Sequence, residues 1–122
     1  MSKTINDDSL ANVMEKIEEI LNENPGPIEG INVVYQFEIS GDEEALYQLQ
    51  LGDSKAKVLI GSELKADCTL KLSFANFRLF LLGKLNGTMA FMTGKLKMNG
   101  DIGKALKLES LLQQYNMKDH LS

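Results

Sequence analysis

The sequence predicts an α+β domain in which helices cover a mainly antiparallel sheet. Three observations carry this reading. The chain opens on an amphipathic segment of helical period, continues through period-two segments joined by short polar turns, and closes on apolar segments of helical spacing. Its 122 residues, 43% hydrophobic and 25% charged, suffice for one core of ordinary globular composition. Residues 1–122 therefore read as a single domain, with 1–7 and 117–122 as loose ends.

The first helix is expected over residues 9–22. Leu10, Val13, Met14, Ile17, Ile20 and Leu21 recur at helical spacing, while Glu15, Glu18 and Glu19 fall outside the stripe. The stripe is roughly 120° wide, as suits a helix laid on a sheet. Asp8 or Ser9 supplies a capping oxygen. Asn24-Pro25-Gly26-Pro27 ends the helix, because proline brings no N–H and clashes with the preceding turn.

Alternation follows. Ile31, Val33, Tyr35, Phe37 and Ile39 share one face, opposite Asn32, Gln36 and Glu38. A turn at residues 40–44 leads to Ala45, Tyr47, Leu49 and Leu51. A second turn at 52–54 leads to a segment over 55–60, and Gly61-Ser62 breaks it. Residues 67–72 alternate again, with Cys68, Leu70 and Leu72 inward. Connections this short imply antiparallel neighbours, since a parallel crossover needs a dozen or more residues.

The pattern then changes. Ser73 caps a helix expected over 74–82, seven of whose nine residues are apolar and fall on all sides of the wheel. Asn86-Gly87-Thr88 reads as a turn, and a compact apolar piece, Met89-Ala90-Phe91-Met92, follows it. Lys95, Lys97 and Asn99 alternate with Leu96 and Met98 in a last short strand. Gly100-Asp101 opens a helix over 102–115 with an apolar arc of roughly 220°.

The composition excludes several function classes. A net charge of −4 with a single arginine, Arg78, does not suit nucleic acid, which needs clustered cations to displace counterions. Lys95, Lys97, Lys104 and Lys107 read as solvated side chains or as a weak contact for anionic lipid headgroups. Cys68 is the one cysteine, so neither an internal disulfide nor a cysteine metal site is available, and its inward position suits an inert thiol. The one histidine, His120, stands near the end of the chain, which makes a histidine-based catalytic pair improbable. No phosphate loop or dinucleotide fingerprint is present, and no cofactor is expected. Asp42-Glu43-Glu44 reads as a solvated turn. Without a secretory h-region, a membrane-spanning run or a terminal Ser-Lys-Leu, the expectation is a soluble cytoplasmic protein.

The segments over 74–92 and 102–115 carry more apolar surface than one sheet contact requires. A thicker core or a dimer interface explains this, and periodicity alone favours that reading; an apolar cavity closed by a ligand explains it too. A lipid needs no charged anchor, since burying about ten acyl carbons at about 0.8 kcal/mol each yields about 8 kcal/mol before binding costs. A third reading is a small isomerase on an apolar substrate with Tyr35 or Tyr47 as acid, although both tyrosines fall on core faces.

Residues 83–101 sharpen the choice. Gly83-Lys84-Leu85-Asn86, then Ala90-Phe91-Met92, then Gly94-Lys95-Leu96-Lys97 and Gly100-Asp101 closely resemble the signature of sterol carrier protein type two domains. Ala105-Leu106-Lys107-Leu108 continues the likeness, and the order of elements agrees along nearly the whole chain. The resemblance implies a five-stranded sheet covered by helices with a hydrophobic tunnel between them, and no catalytic residue. It implies a fatty acid, acyl-CoA, sterol or phospholipid as ligand, transient contact with membranes, and a monomer or weak dimer. Carried onto this chain, the tunnel walls are Phe74, Phe77, Phe80 and Leu81, then Phe91 and Met92, then Leu108, Leu111, Leu112 and Tyr115. Thr93 stands where many relatives carry glutamine, so any polar contact there is altered.

Overall fold

The computed structural model describes residues 9–115, so Asp8, His120 and the expected loose ends lie outside the described residues. Helix α1 spans Leu10–Glu23 and buries all six residues of the predicted stripe. Ser9 is its cap, with Oγ accepting from the Asn12 N–H at 3.2 Å. Glu43, expected to be a solvated turn residue, instead accepts from the Leu10 N–H at 2.9 Å and satisfies one of the donors that every helix start leaves open. After Asn24 the chain makes a short 3₁₀ turn over Gly26–Ile28 before entering the sheet.

Five strands follow: β1 Val33–Ser40, β2 Ala45–Gly52, β3 Lys55–Ile60, β4 Cys68–Ser73 and β5 Lys97–Gly100. They form one sheet in the order β3-β2-β1-β4-β5. Val33, Tyr35, Phe37 and Ile39 of β1 are buried on one face with Leu49 and Leu51 of β2 and Cys68, Leu70 and Leu72 of β4, as the alternation predicts.

One expectation fails. β3 and β4 are separated by only seven residues, 61–67, yet they are not neighbours, and β4 pairs parallel with β1. The connection crosses the outer face of the sheet instead of turning back at its edge. Three strand spacings amount to about 14 Å, well within the reach of seven extended residues at about 3.3 Å each. Gln48, the one fully buried polar side chain among the described residues, holds this crossing. Its Nε2 donates to the Leu64 carbonyl at 2.7 Å and its Oε1 accepts from the Leu64 N–H at 3.0 Å. Asp67 ends the crossing on β1, where its N–H donates to the Val34 carbonyl and its carboxylate accepts from the Val34 N–H. The short-connection rule governs strands that turn directly into each other, whereas β1 and β4 are joined through two intervening strands.

The edge strand β3 is closed by polar residues flanking the α1 stripe. The Asn22 side-chain amide exchanges two 2.8 Å bonds with the backbone of Ala56, and Glu18 accepts from the Val58 N–H at 2.7 Å. A strand edge left open in water is a template for aggregation, and α1 blocks this one. The other helices are α2 Phe74–Leu81, α3 Gly87–Met92 and α4 Ile102–Gln113. They lie toward β1, β4 and β5, with α2 and α4 touching each other. Ser73, Asn86 and Asp101 cap their starts by accepting from Asn76, Met89 and Lys104 N–H groups. Asn86 is thus a helix cap, where the sequence suggested only a turn.

The start of the last strand moves. β5 starts at Lys97 because the Lys95 and Leu96 N–H groups both turn back to the Ala90 carbonyl, at 2.9 and 3.1 Å. Gly100 bridges β5 to α4 at φ +85°, with a Cβ at that position falling 2.5 Å from the Asp67 carbonyl oxygen. Only glycine fits there.

Candidate functional site: the apolar seam under α2 and α4

The candidate site is the layer where α2 and α4 lie against the sheet. Phe74, Phe77, Phe80 and Leu81 follow from the i, i+3, i+6, i+7 spacing of α2, which turns all four to the same side. Leu108, Leu111 and Leu112 do the same on α4, and Tyr115 follows it into the core. These eight predicted wall residues belong to one contiguous apolar cluster, and none is more than 5% exposed. Phe77 meets Phe37 of the sheet at a ring-centroid distance of 5.3 Å. No charged or amide side chain is wholly buried in the seam, since Gln48 lies on the opposite face of the sheet. At its edge the Arg78 guanidinium of α2 stacks on the Phe74 ring at 3.8 Å, with its Nε buried and without a hydrogen-bond partner among the described residues.

The other three predicted residues are placed elsewhere. Phe91, Met92 and Thr93 are exposed, Met92 by 74%. The Thr93 hydroxyl donates to the Met89 carbonyl at 2.9 Å, which closes the end of α3 and does not turn toward the seam. The physical reason lies in α3 itself. It docks through Gly87 and Ala90, its two buried residues, and a Cβ on Gly87 would stand 3.0 Å from the Glu109 carboxylate and 3.5 Å from the Phe80 ring. Small side chains allow that approach, so the large ones point away. Glu109, the acidic interruption of the α4 arc, accepts from the Gly87 N–H with both oxygens at 3.1–3.2 Å and fixes the start of α3.

Polar groups at the border of the seam tie its elements together. The Tyr35 hydroxyl donates to the Lys104 carbonyl at 2.8 Å, linking β1 to α4. The Tyr115 hydroxyl donates to the Asn24 carbonyl at 2.7 Å, linking the end of α4 to the end of α1. Burial holds the Tyr35 phenol well above its ordinary range and, with Asp101 and Asp67 nearby, pushes the Cys68 thiol up to about 12. Both stay protonated at neutral pH, the thiol in keeping with the inert role expected of it. Two open clefts, of about 660 and 760 Å³, lie on other parts of the surface, and none of the eleven predicted residues lines either. Among the described residues no group of acidic, histidine and cysteine side chains is placed to hold a metal, and no helix is long and apolar enough to cross a membrane.

A five-stranded mixed sheet with helices packed against it places the chain in the class of small α+β folds. The chain belongs to the SCP-2 sterol transfer family, whose model matches residues 14–113. It is 37% identical over 118 residues to hydroxysteroid dehydrogenase-like protein 2 of Xenopus tropicalis, covering 96% of this chain and 28% of that protein. Over 111 residues it is 35% identical to human sterol carrier protein 2, covering 87% of this chain and 20% of that protein. The chain thus spans less than a third of the length of these curated relatives. Among solved structures, the sterol carrier protein domain 2 of Helicoverpa armigera superposes with a TM-score of 0.74 at 29% identity, covering 95% of this chain and 94% of that one.

Proposed function

We propose that this domain is a non-catalytic lipid carrier, with a long acyl chain or another apolar ligand held in the seam between α2, α4 and the sheet. The observation that carries the reading is the convergence of eight large apolar side chains from α2, α4 and the residue just after α4 in one layer that holds no wholly buried charged side chain. Such a layer rewards an apolar occupant by area and asks for no specific polar partner. Membership in a sterol transfer family and likeness to a protein named sterol carrier protein 2 support it. The ligand enters by parting α3 from α4, because α3 buries only a glycine and an alanine against the layer. Phe80, beneath Gly87, then becomes the first wall residue that the ligand meets.

Native mass spectrometry of freshly purified protein, followed by lipid extraction, tests this. A bound lipid on a monomer, displaced by a fluorescent fatty acid, is the expected result. A lipid-free dimer that takes up no fatty acid would refute it and favour a dimerising domain.

A further inference from the structure

The geometry points to a docking face on α3, and we infer that its occupant is the surface of an anionic phospholipid bilayer. Its purpose rests on the carrier reading, since a carrier has to meet the membrane that loads it, but its observations lie outside the seam. α3 presents Met89, Phe91 and Met92 to solvent with exposures of 59, 41 and 74%. Three large apolar side chains on one six-residue helix form a concentrated patch that water covers poorly. Methionine and phenylalanine are suited to the acyl boundary of a bilayer, where adaptable apolar side chains insert between lipids.

The charges around α3 select the kind of membrane. Residues 84–100 contain three lysines and no acidic residue. Lys84 precedes the helix by three residues, and Lys95 is held against its far end by the bond from its N–H to the Ala90 carbonyl. Lys97 stands directly opposite Lys71 across the β4–β5 pair, and with Lys95 these line the 660 Å³ cleft, which Glu38 and Glu44 line as well. Glu38 answers Lys71 at 3.6 Å. Lys84, Lys95 and Lys97 are exposed and form no ion pair among the described residues. Like charges set opposite each other on a sheet are unfavourable; Glu38 answers Lys71 alone, and an anionic headgroup at Lys95 and Lys97 answers the rest.

The remaining surface turns the same face toward the bilayer by repulsion. Residues 9–67 hold twelve acidic side chains against four basic ones. The apolar stripe of α1 is wholly buried, and its exposed side carries Glu15, Glu19 and Glu23. A second copy of the chain docked through α3 would bring lysines against lysines, so the charge pattern favours the bilayer over self-association. Docked this way, the helix at the proposed entrance to the seam is the one that meets lipid.

Flotation with vesicles tests the face, using phosphatidylcholine alone and phosphatidylcholine with about one-third phosphatidylserine. The wild type is expected to bind the anionic vesicles only, and less as salt rises. Lys95→Glu with Lys97→Glu should weaken binding by at least about 25-fold, about fivefold for each lysine lost. Met89→Ser with Met92→Ser should weaken it by about tenfold. Ile60→Ser, at an equally exposed site on β3, should change nothing. Thermal melts check that each variant folds, as expected for exposed positions.

Failure of the wild type to bind anionic vesicles, wild-type binding by either double variant, or an α3-dependent dimer in sedimentation would each overturn the docking face. Fatty-acid displacement measured without vesicles separates the two claims. If it stays intact in the double variants while their vesicle binding is unchanged, the docking face alone fails. If the wild type shows α3-dependent vesicle binding but no displacement, the face stands and the carrier reading fails.

Discussion

Replacing Leu108 by alanine separates a side chain that merely fills the core from one that lines the site. Leu108 is fully buried on α4. The change removes three carbons, worth about 2.4 kcal/mol in transfer, and the incompletely collapsed cavity adds about 1 kcal/mol. Intrinsic stability should therefore fall by about 3–4 kcal/mol, read as a lower urea midpoint at unchanged slope. A saturating fatty acid at a hundred times its dissociation constant should raise wild-type stability by about 2.7 kcal/mol. In the variant the increment should be larger by about 1 kcal/mol, because one side chain fewer has to move before the ligand can occupy the seam. Leu49→Ala, equally buried but on β2, should cost about as much in folding and leave the ligand increment at its wild-type value. Equal increments in all three proteins would refute the placement of the ligand under α4. A loss below about 1 kcal/mol for Leu108→Ala would refute the packing itself.

Three further predictions follow from the same contacts. Gly100→Ala should cost at least about 2 kcal/mol by thermal melting, since it combines a positive φ with a Cβ directed at the Asp67 carbonyl. Tyr35→Phe should lose about 1 kcal/mol of stability with its bond to Lys104 and leave fatty-acid affinity unchanged; a large loss of affinity, or turnover that depends on the phenol, would favour the isomerase reading. Cys68 should resist alkylation in the native state and react on unfolding. Its folded pKa, raised from 9.0 to about 12, means that the contribution it makes to stability is complete below pH 9 and fades as pH climbs toward 12. Urea midpoints that stay flat across that range in the wild type would contradict the burial assigned to Cys68.

The site was legible in sequence to the extent that its residues lie on elements long enough to show a period. The resemblance groups eight apolar positions on or just after α2 and α4, and all eight belong to one buried cluster. The resemblance groups Phe91 and Met92 with them, and α3 has fewer than two turns, too few for periodicity to reveal which side faces in. The signal that could have told was the pair of small residues, Gly87 and Ala90, at i and i+3 on the side that packs closely.

By itself, then, the sequence determined the inner faces of β1, β2 and β4, the stripe of α1, and the cap at Ser73, because period and hydrogen-bonding side chains act over a few residues. Tertiary structure alone decided that β4 lies parallel to β1, that Gln48 pins the crossing between β3 and β4, that Asn22 and Glu18 seal the β3 edge, and that α3 turns its methionines outward. Each of these joins groups distant in the chain or depends on how closely two backbones approach. Such choices are made by the free energy of the whole assembly, and no local window of sequence contains it.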